Sequence, residues 1–153
     1  MKHIPACEVV LVLAVVFKSC RRTVIAIRNN HTVFDNKRTK KGNFVVETMD
    51  ARQMVSHRPE TRNMADVLLV NLPHDGIDHL PELLPLLSKE RAMLCGWSII
   101  EKTQTETFMN TLISFLHEGQ RNLESNDLEF VKGFSATKAM VRYECVLSSK
   151  TNR

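Results

Sequence analysis

The sequence predicts an α/β fold, a mostly parallel sheet flanked by helices and closed by a C-terminal antiparallel hairpin. Three observations carry that expectation. Short apolar, β-branched runs alternate with helical patterns, as in strands joined by crossovers. Residues 67–70 (Val-Leu-Leu-Val) form an unbroken apolar run ending on Asn71-Leu72-Pro73, the pattern of a strand buried on both faces. Two late strand-like runs, 128–134 and 140–147, are joined by a link too short for a crossover, which makes them antiparallel.

A chain of 153 residues fits one domain spanning 1–153, and its 43% hydrophobic and 25% charged content is that of an ordinary folded protein. A formal net charge of +4 favours anionic partners without naming one. The cysteines Cys7, Cys20, Cys95 and Cys145 are scattered, with no C-x-x-C pair. They read as reduced thiols of an intracellular protein, cytoplasmic or mitochondrial, and give neither a disulfide frame nor a zinc site. His74 and His79 straddle a turn without metal-ligand spacing, so no metal is expected. Aromatic residues are too few for a stacking platform, and no Gly-x-Ser-x-Gly elbow supports a hydrolase.

In chain order, residues 9–17 are an apolar run too short to span a bilayer. Glu8 abuts the run and Lys18-Ser19-Cys20-Arg21-Arg22 follows without a small-x-small cleavage site, so secretion is not expected. Residues 23–27 (Thr-Val-Ile-Ala-Ile) form a strand. Only residues 18–22 separate it from the first run, and a parallel crossover needs about a dozen residues or more. Residues 7–22 are therefore expected to be largely helical, leaving the first strand of the sheet missing or degenerate. Residues 29–41 are polar and suit a short surface helix ended by Gly42. Residues 44–46 form the next strand, running out through Glu47 to Asp50-Ala51-Arg52. Residues 53–64, with Pro59, read as loop with one helical turn. Ile77, Leu80, Leu83, Leu84 and Leu87 repeat at helical spacing, with Asp78 as a candidate cap, Pro81 in the first turn and Pro85 as a distortion. Residues 92–97 form a strand weakened at Gly96. Thr103-Gln104-Thr105-Glu106 matches a capping box for a helix that buries Phe108, Leu112, Phe115 and Leu116 and closes at Gly119.

Ligands in open α/β sheets bind beyond the carboxyl ends of the strands, where Asn71-Leu72-Pro73 falls. A plain strand-to-helix turn is the competing reading. Arg21, Arg22, Arg28, Lys37, Arg38, Lys40 and Lys41 stand against Asp35 alone, a density that suits either phosphate contacts or a solvated face.

The order of these pieces resembles the Rossmann-like S-adenosylmethionine-dependent methyltransferases. The Asn71-Leu72-Pro73 turn is similar to that of the archaeal and eukaryotic tRNA guanine-N1 methyltransferases and their wybutosine-pathway relatives. In the same register, Ile77-Asp78-His79-Leu80 resembles the family's helix start, and Val131-Lys132-Gly133-Phe134-Ser135 its late strand and turn. Residues 23–27 followed by Asn29-Asn30, and residues 44–46 leading to Asp50-Ala51-Arg52, resemble its second and third strands with their cofactor loops. The resemblance covers about residues 12–147.

It implies a class I methyltransferase sheet with S-adenosylmethionine as cofactor, held by Asn29, Asn30, Asp50 and Asn71, with Asp50 accepting from the adenine amine. It also implies that Asn71 and Pro73 hold the target base and that Asp75, or else Asp78 or His79, takes the guanine N1 proton. RNA, tRNA or rRNA, is the implied partner, with the basic cluster on its phosphates; a protein partner and no membrane complete the expectation. The sequence departs from the family's pattern at three points. Residues 11–18 hold no glycine where the family has its glycine-rich turn. Arg28, Asn29 and Asn30 stand where the family has an acid on the ribose hydroxyls. The N-terminal domains that help such enzymes hold tRNA are not in the sequence. The implied protein is thus a degenerate or truncated relative, catalysing guanine N-methylation of RNA if active. The alternative is a catalytically inactive methyltransferase-like scaffold or RNA-binding subunit of a ribonucleoprotein. A weaker third reading is a phosphate-binding module using Arg28.

Overall fold

The computed structural model describes residues 50–149 in full and, ahead of them, the backbone of four strands. These are β1 (Val12–Val16), β2 (Val24–Arg28), β3 (Arg38–Lys41) and β4 (Phe44–Thr48). They continue into β5 (Val67–Asn71), β6 (Ala92–Glu101), β7 (Arg121–Gly133) and β8 (Lys138–Ser149). One mixed sheet results, in the order β3-β4-β2-β1-β5-β6-β8-β7. β2 is parallel to β4, and β5 to β6. β8 lies antiparallel between β6 and β7, which makes the closing hairpin anticipated from the short link.

Two early elements differ from expectation. Val12–Val16 is a strand where a helix was expected, and it fills the slot between β2 and β5 antiparallel to both. The short link to β2 rules out a parallel neighbour but not an antiparallel one, which needs only a turn. The first position of the sheet is thus occupied in reverse. Arg38–Lys41, expected in a surface helix, forms the edge strand beside β4. Its run of charge suits an edge, where lysine and arginine discourage pairing with further chains.

Three helices, α1 (Met54–His57), α2 (Leu80–Leu83) and α3 (Thr105–Glu118), pack in series on the sheet. Met54, Leu80, Leu83, Leu112 and Leu116 share one core with Leu68, Val70, Leu94 and Tyr143 of the strands. β5 alternates, burying Leu68 and Val70 while Val67 and Leu69 are half-buried, so it is deeply covered on one face and not on both. Pro81 sits in the first turn of α2, and Pro85 ends the α geometry, leaving a 3₁₀ turn over Leu84–Leu86. Asp78 does not cap α2; it lies within the 3₁₀ turn Gly76–His79. The capping box at Thr103 does not form either. A 3₁₀ turn over Lys102–Gln104 delays the helix, and the cap position falls on Gln104, which makes no side-chain cap bond. At the far end Gly119 donates its N–H to the Phe115 carbonyl at 2.9 Å, but the positive φ of 57° belongs to Gln120. Glycine at 119 serves close packing instead, since a Cβ there would stand 3.0 Å from Leu84 Cδ1.

Gly96 does not weaken β6, which runs on to Glu101. Tyr143 pairs with it across the β6–β8 ladder, and a Cβ at position 96 would collide with the Tyr143 ring and hydroxyl. The ring is fully buried 5.8 Å from that of Phe108, and its hydroxyl has no hydrogen-bond partner, with burial pushing its pKa up. Gly96→Ala should therefore cost about 2–3 kcal/mol in urea unfolding, as overpacking in a closed core does. Tyr143→Phe should stay within about 1 kcal/mol of the parent, because an unpaired buried hydroxyl contributes little. Equal costs for the two changes would refute the notch.

Candidate functional site

β2, β4, β5 and β6 deliver their carboxyl ends to one edge of the sheet. Arg28 pairs with Thr48 there, and Val12, the first residue of β1, pairs with Asn71. Because β1 is reversed, the chain enters it at this edge and does not leave it. A glycine-rich turn from strand to helix has no place at that point, which is consistent with the lack of glycine in residues 11–18.

Asn71 is the last residue of β5 and is exposed, with no side-chain hydrogen bond to any described residue. The turn beneath it is fixed. Leu72 drops into the core. The Pro73 carbonyl accepts the Ile99 N–H at 2.7 Å and the Ser98 hydroxyl at 3.3 Å. The Gly76 N–H donates to the Leu72 carbonyl at 2.8 Å, and a Cβ at Gly76 would press on Val70 Cγ1 at 3.2 Å. Asn71 and Pro73 are thereby brought together, with the exposed Asp75 at the head of the next turn. His74 meets Phe134 edge-on at 5.9 Å, so the tip of the β7–β8 hairpin folds over the turn. Beside it, beyond the ends of β5 and β6, His74, Ile77, Ser98, Glu101, Phe108 and Lys138 help enclose a cavity of about 320 Å³. That volume is at the small end of ligand sites.

Ser98, His74 and Phe134 were not legible as site residues. Ser98 alone left a trace, as a polar residue at a buried position of an apolar strand.

Asp50, beyond β4, reaches the same edge but is only 5% exposed. Its Oδ1 accepts from Arg52 N at 3.0 Å and Arg52 Nε at 2.9 Å, and its Oδ2 also accepts from the Arg52 guanidinium. The Arg52 hydrogen bond holds the carboxyl below its ordinary pKa against the opposing effect of burial, with a smaller contribution from His79. Both oxygens are therefore engaged by a residue two places along the chain.

Arg21, Arg22, Asn29, Asn30 and Lys37 lie outside the described residues. Arg38 pairs with Glu47 towards the edge where Arg28 ends β2, whereas Lys41 pairs with Phe44 at the other end of β4. The described members of the basic cluster are thus spread along β2 and β3. Cys95 and Cys145 are free, and burial pushes their thiols up to about 11 and about 12, so neither supplies a thiolate at neutral pH.

A mixed sheet closed by an antiparallel hairpin, with a fixed turn at the carboxyl end of its central parallel pair, makes an α/β fold. Solved structures share it. The chain is similar to P. horikoshii TYW2 in complex with MeSAdo, with 16% identity and a TM-score of 0.67 over 83% of this chain and 48% of that one. It is also similar to M. jannaschii TYW2 in complex with AdoMet, with 14% identity and a TM-score of 0.62 over 71% and 47%. Trm5b from Pyrococcus abyssi matches with 11% identity and a TM-score of 0.59 over 70% and 30%. The chain spans half or less of the length of these proteins. No family model and no curated protein matches it. Among the described residues no helix is long and apolar enough to cross a membrane.

The Asp50–Arg52 pair has a pH signature. A depressed folded pKa gives stability that is present above the ordinary carboxylate value of 3.8 and is lost as pH falls through the lower folded value. Arg52→Ala should therefore destabilise the protein at neutral pH, and the deficit should be smaller at a pH well below 3.8. Urea unfolding at the two pH values measures this, and a deficit independent of pH would rule the ion pair out as its cause.

Proposed function

We propose that this chain is an RNA methyltransferase-like domain, and that its site is laid out for guanine N-methylation of tRNA or a related RNA. One observation carries the reading. The Asn71 amide, with no side-chain hydrogen bond to a described residue, stands at the carboxyl end of β5 on a turn fixed by the Pro73 carbonyl. The neighbours of like fold include TYW2 in complex with AdoMet and with MeSAdo, which supports the class. In this reading Asn71 and Pro73 hold the edge of a base displaced from its stack, and the adjoining cavity receives it. Asp75, exposed nearby, accepts the guanine N1 proton, and fixed positioning contributes much of the rate of the displacement. Arg21, Arg22, Arg28, Lys37, Arg38, Lys40 and Lys41 would meet RNA phosphates.

The methyl donor is the weaker half. Asp50 is buried and saturated by Arg52, and β1 enters where a glycine turn would leave. Asp50 and β1 do not form a donor cradle among the described residues. That observation favours a second reading, a catalytically inactive methyltransferase-like scaffold or RNA-binding subunit.

Calorimetric titration of S-adenosylmethionine and S-adenosylhomocysteine into the chain separates the two. Binding at micromolar strength supports the enzyme; no binding by a demonstrably folded protein supports the scaffold. If the enzyme reading holds, Asn71→Ala should abolish methyl transfer while shifting stability by no more than about 0.5 kcal/mol, the usual size for an exposed position. Undiminished turnover would remove Asn71 from the site.

A further inference from the structure

A second cavity, of about 640 Å³, lies at the opposite end of the sheet. Asn63 ahead of β5, Lys89 ahead of β6 and Ser149 at the end of β8 mark its place. Arg62, Lys89 and Arg121 line it, and no carboxylate does among the described residues. Arg121 is the unusual member. The left-handed Gln120 turns the chain sharply from α3 into β7, and the first residue of that strand goes inward, to 5% exposure. Its Nη2 donates to the Ser88 carbonyl, while its Nε is buried without a partner. Burial is the sole influence on its pKa, which it lowers; no carboxylate among the described residues offsets it.

A guanidinium stays charged in a protein, and burying one without a counter-charge costs several kcal/mol. At the other end of the sheet the buried charge is the Asp50 carboxylate, and the exposed Arg52 balances it. Arg121 has no such carboxylate, yet open space adjoins it, with two further cations at the rim and an apolar wall of Pro81 and Leu84. A ligand with a dianionic head and a compact body would satisfy both features, since arginine forms paired hydrogen bonds to phosphate oxygens.

We propose that this cavity binds a phosphate group, free or carried by a nucleoside monophosphate, with Arg121 as the buried anchor and Arg62 and Lys89 as flanking cations. The site is separate from the Asn71 edge and does not rest on the methyltransferase reading.

The test is calorimetric titration of the full chain at low ionic strength with inorganic phosphate and, separately, with adenosine monophosphate. Both titrations are repeated on Arg121→Met and on the double variant Arg62→Ala/Lys89→Ala. Methionine keeps the volume, and replacing a buried uncompensated charge by an apolar group is tolerated, which a thermal melt verifies. Saturable binding is expected in the parent, weakened about tenfold or more in Arg121→Met and several-fold in the double variant. Equal affinity for the two ligands assigns the site to free phosphate, and a tenfold preference for the nucleotide assigns it to the nucleotide. The proposal is overturned if neither ligand saturates by about 10 mM, or if both variants bind as the parent does. Should Arg121→Met fail to fold, the double variant decides by itself.

Discussion

The fit of Tyr143 into the notch at Gly96 is the constraint on which the described structure turns. β6 is the strand that joins the two halves of the sheet, parallel to β5 on one side and antiparallel to β8 on the other. The Tyr143 ring lies over the one residue of β6 that can receive it, and from there it reaches Phe108 of α3. One side chain thus registers the hairpin on the sheet and the helix on the hairpin. An unpaired buried hydroxyl is tolerated here because the ring supplies far more contact than the hydroxyl forfeits.

That register fixes the candidate site. With β6 held between β5 and β8, Ser98 and Ile99 lie where the Pro73 carbonyl can accept from both. The same hairpin carries Phe134 to His74. The Asn71 turn therefore depends on the C-terminal half of the chain, whose strands β6, β7 and β8 are long. The other side of that edge depends on β1, β2 and β4, where a five-residue strand runs against its neighbours. Reversing one strand leaves the sheet's hydrogen bonding intact but exchanges an outgoing turn for an incoming chain. A fold can therefore keep its architecture and its Asn-Leu-Pro turn while losing the shape of a cofactor loop.

The sequence made the alternation of elements, the closing hairpin and the position of the Asn71 turn legible, because each leaves a local mark in periodicity, link length or turn residues. The reversed β1 escaped because an apolar run has no direction, and excluding a parallel neighbour left the antiparallel one unconsidered. The edge strand Arg38–Lys41 escaped because a polar strand at a sheet border carries no alternation. Gly96 was misread since a glycine looks the same whether it ends a strand or admits a ring from 47 positions along the chain, a pairing seen only in the folded ladder. Asp50 was legible as a carboxylate beyond a strand, but its engagement by Arg52 was not, because any arginine two places on is equally free to face water.

The two ends of the sheet make different uses of an arginine. At the Asn71 edge, Asp50 and Arg52 neutralise one another within three residues, so the pair itself contributes little net field there. At the opposite end Arg121 is sunk deeper than Arg52, with one carbonyl as its partner and no acid to balance it. The packing that places it there is specific: Gly119 must lie against Leu84, and Gln120 must take a left-handed conformation that costs a residue with a side chain about 1 kcal/mol. A strained turn that delivers an unbalanced charge to an open cavity adds one unfavourable contribution to another. Nothing in the described protein offsets them, and an anion from outside would.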